Sequence, residues 1–336
     1  MEGKEMVIFT IMVMLWWSVG NCLKFDSTVA KDGSGKYKTI AQALDAAPKN
    51  SSKTYFIHVK RGIYDENITI SSDQTNIGLV GDGMGVTIIT ARKSSKRFPT
   101  PYTATLGVYG SGFIGMFLTI RNTAGAIGGQ AVALTSATFG GVASYYRCSF
   151  EGYQDTIFVQ TGSTFFRECD VSGTIDFIFG GGQAIFQNSV VKARSPLPGQ
   201  EVRIIAPGVD NIIDSGLILQ NCKISSVSGF NNSVSSFLGW PWKSHGKGVI
   251  MSSYIDGFID PKGWTPNPKE KDDIYLAEYN NRGPGSSTKY RVKWSKVINK
   301  KEASKFTVRN FLHGDKWIPR IIPHYLDHVD GVDDYV

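Results

Sequence analysis

The amino-acid sequence predicts an all-β chain wound into a parallel β-helix, a solenoid whose short strands stack on their counterparts in the next coil. The segments CSFEGYQDTIF (148–158) and CDVSGTIDFIF (169–179) match at Cys, Gly, Asp, Ile and Phe, and every matched pair has the same offset. A β-rich repeat of about 20 to 25 residues is typical of a β-solenoid. Helical periodicity is scarce. Nothing between residues 30 and 295 resembles a linker, so one elongated domain is expected.

Short β-rich segments carry the pattern along the chain. They are residues 113–122, 144–150, 164–171, 184–191, 217–224 and 249–255. Within most of them a small or polar residue is followed two positions later by an apolar one, which predicts inward ladders: Cys148/Phe150, Cys169/Val171, Asn188/Val190, Cys222/Ile224 and Ser253/Ile255. The intervals between successive ladder positions are unequal, which predicts loops of different lengths. Long loops on one side of a solenoid commonly build the binding cleft.

Both ends of the solenoid are expected to be covered. Residues 37–47 (YKTIAQALDAA) have the apolar spacing of an amphipathic helix that ends before Pro48. This helix is expected to cap the N-terminal end, where open strand edges invite aggregation. Its predicted apolar face consists of Ile40, Ala43, Leu44 and Ala47. Residues 296–305 and three later aromatic side chains are expected to form a C-terminal cover: Phe306, Phe311 and Trp317. The domain is expected to span residues 23–320, with residues 321–336 as a C-terminal tail.

The first residues have the pattern of a secretion signal. Residues 6–20 form an apolar run behind Lys4, which is short for a membrane span and suits a signal peptide over residues 1–22. Glu2 and Glu5 make the leading segment less basic than usual, which leaves a signal anchor as the alternative. A secreted protein with no membrane segment after cleavage is expected. Three N-x-S/T sequons fit a glycoprotein: Asn50, Asn67 and Asn231.

The chain is basic and long enough to bury a large core. Its 336 residues are 41% hydrophobic and carry a formal net charge of +7 at pH 7. This charge suits an acidic partner, which could be nucleic acid, an anionic membrane surface or an acidic polysaccharide. A secreted protein does not meet nuclear or cytosolic nucleic acid, so no nucleic-acid role is expected.

Cysteine usage leaves two interpretations open. Cys148 and Cys169 occupy the same phase of the repeat, so they are expected to stack on adjacent coils. In an oxidising compartment they could form a disulfide, and the alternative is two reduced thiols within the core. No CxxC pair or His-Cys cluster has the spacing of metal ligands, so no structural zinc is expected.

Asp155 and Asp176 are the strongest functional candidates. Their spacing places them at the same position of adjacent coils, roughly 4.8 Å apart, with both side chains facing the same direction. Two carboxylates this close are costly unless one is protonated or a chemistry uses them. The alternatives to a catalytic pair are a solvent-exposed ladder and a calcium site.

Further motifs occur in a recognisable order. They are GIYDE (62–66), GQAVAL (129–134), YQDT (153–156), GTIDFIFG (173–180), LGWPW (238–242) and GPG (283–285). Over residues 29–317 the chain resembles the plant-type pectin methylesterases, also called pectinesterases, of carbohydrate esterase family 8. The resemblance implies a right-handed parallel β-helix in the cell wall that hydrolyses methyl esters of homogalacturonan without metal or organic cofactor. It also implies pectin as the acidic partner, a monomeric state, and a proteinaceous pectinesterase inhibitor as a candidate second partner.

The resemblance assigns roles to four polar residues. Asp176 corresponds to the nucleophile that attacks the ester carbonyl carbon. Asp155 corresponds to the acid that protonates the departing methoxide and then acts as a base on water. Gln130 and Gln154 correspond to amide donors for the tetrahedral oxyanion. For Gln130 the alternative is a polar residue of a turn.

Four more residues correspond to substrate-contacting positions of the family. Trp242, Phe158 and Phe179 match aromatic residues that line the sugar groove, where rings offer flat apolar faces to saccharides. The alternative for these three is a place in the core. Thr100 falls near a threonine that contacts substrate in the family.

One departure from the family pattern affects the chemistry. The signature LGRPW has an arginine where this chain has Trp240, and in the family that arginine pairs with the nucleophilic aspartate and keeps it ionised. Indole offers one neutral N–H donor and does not replace a cationic fork. Arg203 and Lys243 are the candidates for a replacement cation. The two resulting hypotheses are an active pectinesterase and a catalytically impaired relative that binds pectin, and Trp240→Arg is expected to raise activity if the missing charge is the defect.

Smaller departures accompany this one. Thr135 stands in place of the arginine of QAVALR, residues 204–207 (IIAP) replace a TAQ-like stretch, and residues 139–141 lengthen the interval before the acidic pair. A polygalacturonase or pectate lyase is a third hypothesis. It is disfavoured, because none of the five His lies in a Gly-His-Gly sequence and no acidic cluster has calcium spacing.

Overall fold

The structure, a computed structural model, describes residues 23–210, 214–266 and 273–330. Over these residues the chain forms the right-handed parallel β-helix that the sequence predicts, and the strands of successive coils pair in parallel. The predicted signal peptide (1–22) lies outside the described residues. No helix in the described ranges is both long enough and apolar enough to span a membrane.

The first face of the solenoid runs its full length. In stacking order its strands are β1 (Ser27–Val29), β2 (Tyr55–Val59), β5 (Ile77–Gly81), β8 (Phe113–Met116), β10 (Leu134–Tyr146), β12 (Ile157–Arg167), β15 (Gln183–Gln187), β18 (Gly216–Gln220), β21 (Lys247–Met251), β23 (Tyr275–Tyr279) and β24 (Lys296–Val297).

The second face branches from the same sheet and carries the candidate site. It contains the beginnings of β10 and β12, together with β4 (Ile68–Ile70), β7 (Leu106–Val108), β14 (Ile178–Gly180), β17 (Val202–Pro207) and β20 (Ser236–Gly239). Strand β10 is long because it turns the corner between the two faces. Its first three residues pair with β7 and its last four pair with β8.

The third face is a separate sheet. Its strands are β3 (Gly62–Asp65), β6 (Thr87–Ala91), β9 (Thr119–Asn122), β11 (Ser149–Glu151), β13 (Asp170–Gly173), β16 (Val190–Ala193), β19 (Lys223–Ser226) and β22 (Tyr254–Ile255). Apolar side chains from this sheet point inward and stack into one continuous ladder within the main core: Ile120, Phe150, Val171, Val191, Ile224 and Ile255.

A stack of left-handed residues makes the sharp corner between the first and third faces. Each has a φ between 48° and 57°: Phe117, Arg147, Glu168, Asn188, Asn221, Ser252 and Asn280. Left-handed backbone is unfavourable for most side chains, and Asn is among those that tolerate it best. The stacked coils hold the other residue types there through backbone bonds such as Arg147 N–H to the Arg167 carbonyl at 3.0 Å.

The corner also corrects one predicted ladder pair. Asn188 is the left-handed corner residue, and the inward positions of that coil are Ser189 and Val191, instead of the predicted Asn188 and Val190. Side chains alternate between the two faces of a strand, so a slip of one residue exchanges inward and outward positions. The other four predicted pairs have the expected register.

The cysteine ladder is reduced. Cys148, Cys169 and Cys222 are free and fully buried, which favours the second of the two interpretations left open by the sequence. Burial raises the pKa of the Cys148 and Cys222 thiols to about 12. These thiols therefore stay protonated and unreactive at physiological pH.

Helix α1 (Ile40–Asp45) covers the N-terminal end of the solenoid and is shorter than the predicted 37–47. It starts late because Thr39 is extended and caps it, accepting from Gln42 N–H at 3.2 Å. The carboxylate of Glu66 accepts from the backbone N–H groups of the first two helical residues, Ile40 and Ala41, each at 3.0 Å. The predicted apolar face is confirmed, since all four of its side chains are buried: Ile40, Ala43, Leu44 and Ala47.

The C-terminal cover packs along the outer side of the first face. It contains helices α2 (Lys300–Ala303) and α3 (Val308–Leu312), with Phe306 and Phe311 buried against the sheet. The segment beyond residue 320 continues along the same surface. Ile322 is fully buried, and the backbone of Tyr325 exchanges two hydrogen bonds of 2.9 Å with the side chain of Gln187.

Candidate active site

Asp155 and Asp176 lie one above the other on adjacent coils of the second face. Asp155 stands two residues before β12 and Asp176 two residues before β14, and the first residues of these strands, Ile157 and Ile178, are register partners. The backbone N–H of Asp155 donates to the carbonyl of Ile175 at 3.0 Å. The parallel ladder therefore holds the two aspartates at equivalent positions.

Both aspartates have left-handed backbone conformations. The φ angle is 63° at Asp155 and 51° at Asp176. Non-glycine residues adopt this region only where the surrounding structure enforces it, and such positions cluster at functional sites. The conformation distinguishes this pair from a ladder of aspartates along a regular exposed strand.

The environment of the Asp155 carboxyl group favours its neutral form. The residue is only 8% exposed. Burial is the main cause that raises its pKa well above the usual range, and the negative charge of Asp176 raises it further. Burial thus favours the protonated form of Asp155, which is the form that can donate a proton.

Asp176 has a different environment. The indole N–H of Trp240 donates to its Oδ1 at 2.8 Å. The guanidinium of Arg203 lies on the same side, with Nη1 3.9 Å from that oxygen. A donor and a cation next to a carboxylate both favour its ionised form. The two stacked carboxyl groups thus face opposite electrostatic conditions.

Arg203 is fixed by two contacts besides Asp176. Its guanidinium lies over the ring of Trp240 at 4.4 Å from the centroid, a cation–π arrangement. Its Nε donates to Oε1 of Glu201 at 2.6 Å. Trp240 therefore holds the arginine on one side while its own N–H reaches Asp176, and Glu201 shares the positive charge.

Lys243, the other cation considered from the sequence, is engaged elsewhere. Its ammonium group pairs with Asp210 at 2.6 Å and lies over the ring of Trp242 at 4.9 Å. Of the two candidates, Arg203 is the one that the structure brings to Asp176.

Gln130 and Gln154 lie on the coils that lead to the acidic pair. The Gln154 carbonyl accepts from Ala131 N–H at 3.1 Å, which stacks the two coils. The side-chain Oε1 of Gln130 accepts from the hydroxyl of Ser95 at 2.7 Å, and its backbone carbonyl accepts from Ser95 N–H at 2.8 Å. Because Ser95 holds the oxygen of the amide, the NH₂ group is left to donate on the other side.

An aromatic cluster borders the pair. The rings of Phe158 and Phe179 stack with centroids 4.5 Å apart, and Trp242 meets both of them edge-on at 6.4 and 5.6 Å. The two Phe side chains are only 7% and 5% exposed, so they offer little surface to a ligand. They support Trp242, which is half-buried.

Thr100 begins a short 3-10 turn (Thr100–Thr103) that is tied to the Gln130 coil. Its carbonyl accepts from the hydroxyl of Thr103 at 2.7 Å, and that hydroxyl oxygen accepts from Val132 N–H at 3.0 Å. Thr100 thus stands near Gln130 and apart from the Asp176 end of the site.

Cavities lie on both sides of the acidic pair along the solenoid axis. One of about 770 Å³ is lined by Ile175, Glu201, Arg203 and the loops around residues 196–200 and 231–235. The other, of about 440 Å³, lies next to Ser94 on the Gln130 side. Within the described ranges, no three His, Cys, Asp or Glu side chains come together as a metal site.

A comparison with protein-family models identifies the family to which this chain belongs. A family model described as Pectinesterase matches residues 26–315. The chain belongs to the pectinesterase family.

Relatives within the pectinesterase family are similar over most of this chain. It is 44% identical over 306 residues to the Arabidopsis thaliana protein named Probable pectinesterase/pectinesterase inhibitor 13. The match covers 88% of this chain and 49% of that protein. It is 43% identical over 301 residues to Pectinesterase 2 of Citrus sinensis, covering 87% and 58%. The solved pectin methylesterase from carrot matches with a TM-score of 0.87 and 36% identity, over 91% of this chain and 99% of that one. The chain spans about half the length of the two curated relatives.

Two residues beside the candidate site were not predicted from the sequence. Ser95 orients Gln130 from 35 positions away in the chain, and no local pattern links them. Glu201 did leave a signal, because it lies two residues before Arg203, immediately before β17, and side chains two apart along an extended chain point the same way.

The raised pKa of Asp155 leads to a stability prediction. An unfolded aspartate ionises near pH 3.9, whereas the folded carboxyl stays protonated well above it. The stability contributed by the neutral form is fully present below about pH 3.9 and is lost as pH rises through the folded pKa. Asp155→Asn, which is neutral at every pH, should therefore raise Tm by about 2 °C or more at about pH 8. At about pH 4 it should give little or no gain.

Differential scanning calorimetry at the two pH values tests this expectation. The matched control is Asp170→Asn, because Asp170 is only half-buried on the third face and is paired with Lys192 at 2.8 Å. That variant should show no gain at the higher pH. If Asp155→Asn raised Tm by the same amount at both pH values, the stability cost of burying this carboxyl group would not depend on its protonation state.

Proposed function

We propose that the protein is a pectinesterase that hydrolyses methyl esters of homogalacturonan, releasing methanol and leaving demethylated pectin. The observation that carries the proposal is the stacked pair of carboxyl groups in opposite environments, with Asp155 buried and Asp176 held by a donor and a cation. Neighbouring acids whose pKa values are pushed apart can divide the acid and nucleophile roles. The family and the names of the relatives support the same reaction.

The first half of the reaction forms an acyl-enzyme. The ionised carboxylate of Asp176 attacks the ester carbonyl carbon, and the carbonyl oxygen becomes an oxyanion that accepts from the amide groups of Gln130 and Gln154. As the tetrahedral intermediate collapses, the bond from carbon to methoxide oxygen breaks. Asp155 donates its proton to that oxygen, so methanol leaves and an anhydride joins the substrate to Asp176.

The second half restores the enzyme. Asp155, now ionised, takes a proton from a water molecule whose oxygen attacks the substrate carbonyl carbon of the anhydride. The bond to the Asp176 oxygen breaks, which frees the Asp176 carboxylate and a galacturonate carboxyl group. Each cycle thus consumes one water and yields one methanol and one new acidic group on the polymer.

Arg203 and Trp240 together do what the arginine of LGRPW does in the family. The indole supplies a hydrogen bond to Asp176, and the arginine that it stacks against supplies the charge. A unit charge at about 4 Å contributes roughly 4 kcal/mol at an effective dielectric constant of about 20. Glu201 reduces this contribution, because it shares the guanidinium.

The remaining residues bind the substrate. Trp242 offers the apolar face to a sugar ring, supported from beneath by Phe158 and Phe179, and Thr100 lines the Gln130 side. Pectin is the proposed partner in a secreted, cell-wall, monomeric protein with a signal peptide at residues 1–22. A proteinaceous inhibitor is a second proposed partner.

The second candidate function is a pectin-binding relative without activity, which is favoured by Trp240 and by the competition of Glu201 for Arg203. Methanol release from highly esterified pectin separates the two. We expect release at neutral pH from the purified protein. Absence of methanol across neutral and mildly acidic pH, with pectin binding retained, would establish the second function instead.

A further inference from the structure

A second carboxylate competes with Asp176 for the Arg203 guanidinium. Glu201 stands immediately before β17 and two residues before Arg203. Nε of Arg203 donates to Oε1 of Glu201 at 2.6 Å, and Nη2 pairs with the same oxygen. Nη1 faces Asp176, but its distance of 3.9 Å from Oδ1 exceeds that of a hydrogen bond. The cation is therefore hydrogen-bonded to Glu201, whereas it is only close to the proposed nucleophile.

The backbone of Arg203 is fixed by the preceding coil, so only its side chain can change partner. Its N–H donates to the Thr174 carbonyl at 3.1 Å, and its own carbonyl accepts from Phe177 N–H at 3.4 Å. Val202 lies between Glu201 and Arg203 and is fully buried, so the two charged side chains both point outward. They therefore stay adjacent on the outer surface wherever the guanidinium moves.

The contact with Trp240 leaves the guanidinium room to move. Its central carbon lies 4.4 Å from the indole centroid, and cation–π contacts extend to about 6 Å. To form a hydrogen bond of about 2.9 Å, Nη1 would have to approach Asp176 by about 1 Å. A shift of about 1 Å keeps the cation over the ring while it weakens the contacts with Glu201. The position of the guanidinium is thus a balance between two carboxylates.

We propose that Glu201 is a positioning residue, which holds the Arg203 guanidinium out of hydrogen-bonding reach of Asp176 and so limits the positive charge that the nucleophile receives. The inference rests on the proposed function, in which Asp176 attacks the ester as a carboxylate. The side chains of Asp176, Arg203 and Glu201 are 14%, 22% and 30% exposed, so their charges interact more strongly than charges in open water. Removing the charge of Glu201 therefore lets the arginine approach Asp176.

Glu201 in this role determines how sensitive the reaction is to acid. A cation closer to a carboxylate favours the ionised form, so the pKa of Asp176 falls when Glu201 is made neutral. With Glu201 charged, the nucleophile takes up a proton at a higher pH than Arg203 alone would allow. Each cycle adds one acidic group to the polymer and so acidifies the surroundings. Glu201 thus makes the reaction slow itself as its product accumulates.

Other charged and titratable groups lie on the elements packed around Asp176. They include Asp155 on the coil before, Arg194 stacked on Tyr153 at 5.0 Å after β16, and Lys243 paired with Asp210 at 2.6 Å after β20. The test leaves all of them in place. A change in the pKa of Asp176 therefore reports on Glu201 and Arg203.

The test compares Glu201→Gln in the wild-type protein with the same substitution in Arg203→Gln. Glutamine keeps the size of the side chain, and a neutral acceptor holds a guanidinium less strongly than a carboxylate does. The matched control is Glu151→Gln on the third face, because Glu151 likewise accepts from an arginine Nε, that of Arg121, at 2.7 Å.

Two quantities are measured for each protein. The first is the pH dependence of kcat/KM on highly esterified pectin. The second is the pKa of Asp176, measured by carbon-13 NMR on protein labelled at the aspartate carboxyl carbon, with Asp176→Asn identifying the signal. Circular dichroism checks that every variant is folded.

In the wild-type background, Glu201→Gln should lower the pKa of Asp176 and move the acidic limb of kcat/KM to lower pH by about one unit. Below the limb, kcat/KM should then be about tenfold higher than in wild type. Without Arg203 the shift should be less than half as large, because only direct repulsion between two carboxylates is removed. Glu151→Gln should cause no shift.

Equal shifts with and without Arg203 would overturn the inference, since Glu201 would then act through its own charge alone. The absence of a shift in the wild-type background would overturn it as well.

The NMR measurement separates this inference from the proposed function. If wild type releases no methanol, but Glu201→Gln lowers the pKa of Asp176 more with Arg203 than without it, the positioning role stands and the esterase does not. If wild type is active and the two shifts are equal, the esterase stands and the positioning role does not.

Discussion

Asp176→Asn is expected to abolish methanol release, lowering kcat/KM on highly esterified pectin by at least about 10⁴-fold. The amide has the shape of the carboxylate and can still accept from the Trp240 indole, but it cannot attack the ester carbonyl carbon. Losses of this order follow removal of a nucleophile in other hydrolases that form covalent intermediates.

Asp170→Asn is the matched control for this variant, because Asp170 lies on the third face of the solenoid and pairs with Lys192. It should keep wild-type kcat/KM, and circular dichroism should show that both variants are folded. Residual activity of Asp176→Asn above about one hundredth of wild type would mean that Asp176 is not the nucleophile.

Arg203→Gln is expected to lower kcat/KM by about 30-fold, which corresponds to about 2 kcal/mol. The substitution removes the guanidinium that lies 3.9 Å from the Asp176 carboxylate while leaving the Trp240 hydrogen bond in place. The two stacked aspartates would then share a proton more readily, which weakens the nucleophile. Arg121→Gln, which breaks the half-buried pair with Glu151 on the third face, is the control and should leave kcat/KM unchanged.

A rescue experiment distinguishes a charge effect from a packing effect. In Arg203→Gln/Trp240→Arg the cation returns at the position where the family has it, so most of the lost activity should return. The single variant Trp240→Arg in the wild-type background should gain little, because Arg203 already supplies the charge. A large gain from the single variant would show that Arg203 is an ineffective substitute.

The repeat made the acidic pair predictable, because strand stacking turns a constant offset along the sequence into spatial adjacency. Asp155 and Asp176 could be placed together without any coordinates. The same reasoning was wrong by one residue at Asn188. This residue forms the left-handed corner, and its outward polar side chain gives no sign of the corner in the sequence. Loop lengths that differ from coil to coil remove the periodic signal that would have corrected the register.

The Arg203–Trp240 arrangement was only partly accessible from the sequence. The missing family arginine and two candidate cations could be named, but choosing between them required side-chain positions. Arg203 is the register partner of Phe237 on β20, three residues before Trp240, so the pairing of two distant strands brings it over the indole. Lys243 is nearer to Trp240 in sequence, but its side chain points to Asp210.

We propose that Arg203, held by Trp240, keeps Asp176 ionised in place of the family arginine. The decisive measurement is the pH dependence of kcat/KM for wild type and Arg203→Gln, because the acidic limb reports ionisation of the nucleophile in the free enzyme. Loss of the neighbouring cation should move that limb to higher pH by about one unit. An acidic limb at the same pH in both proteins would contradict the claim.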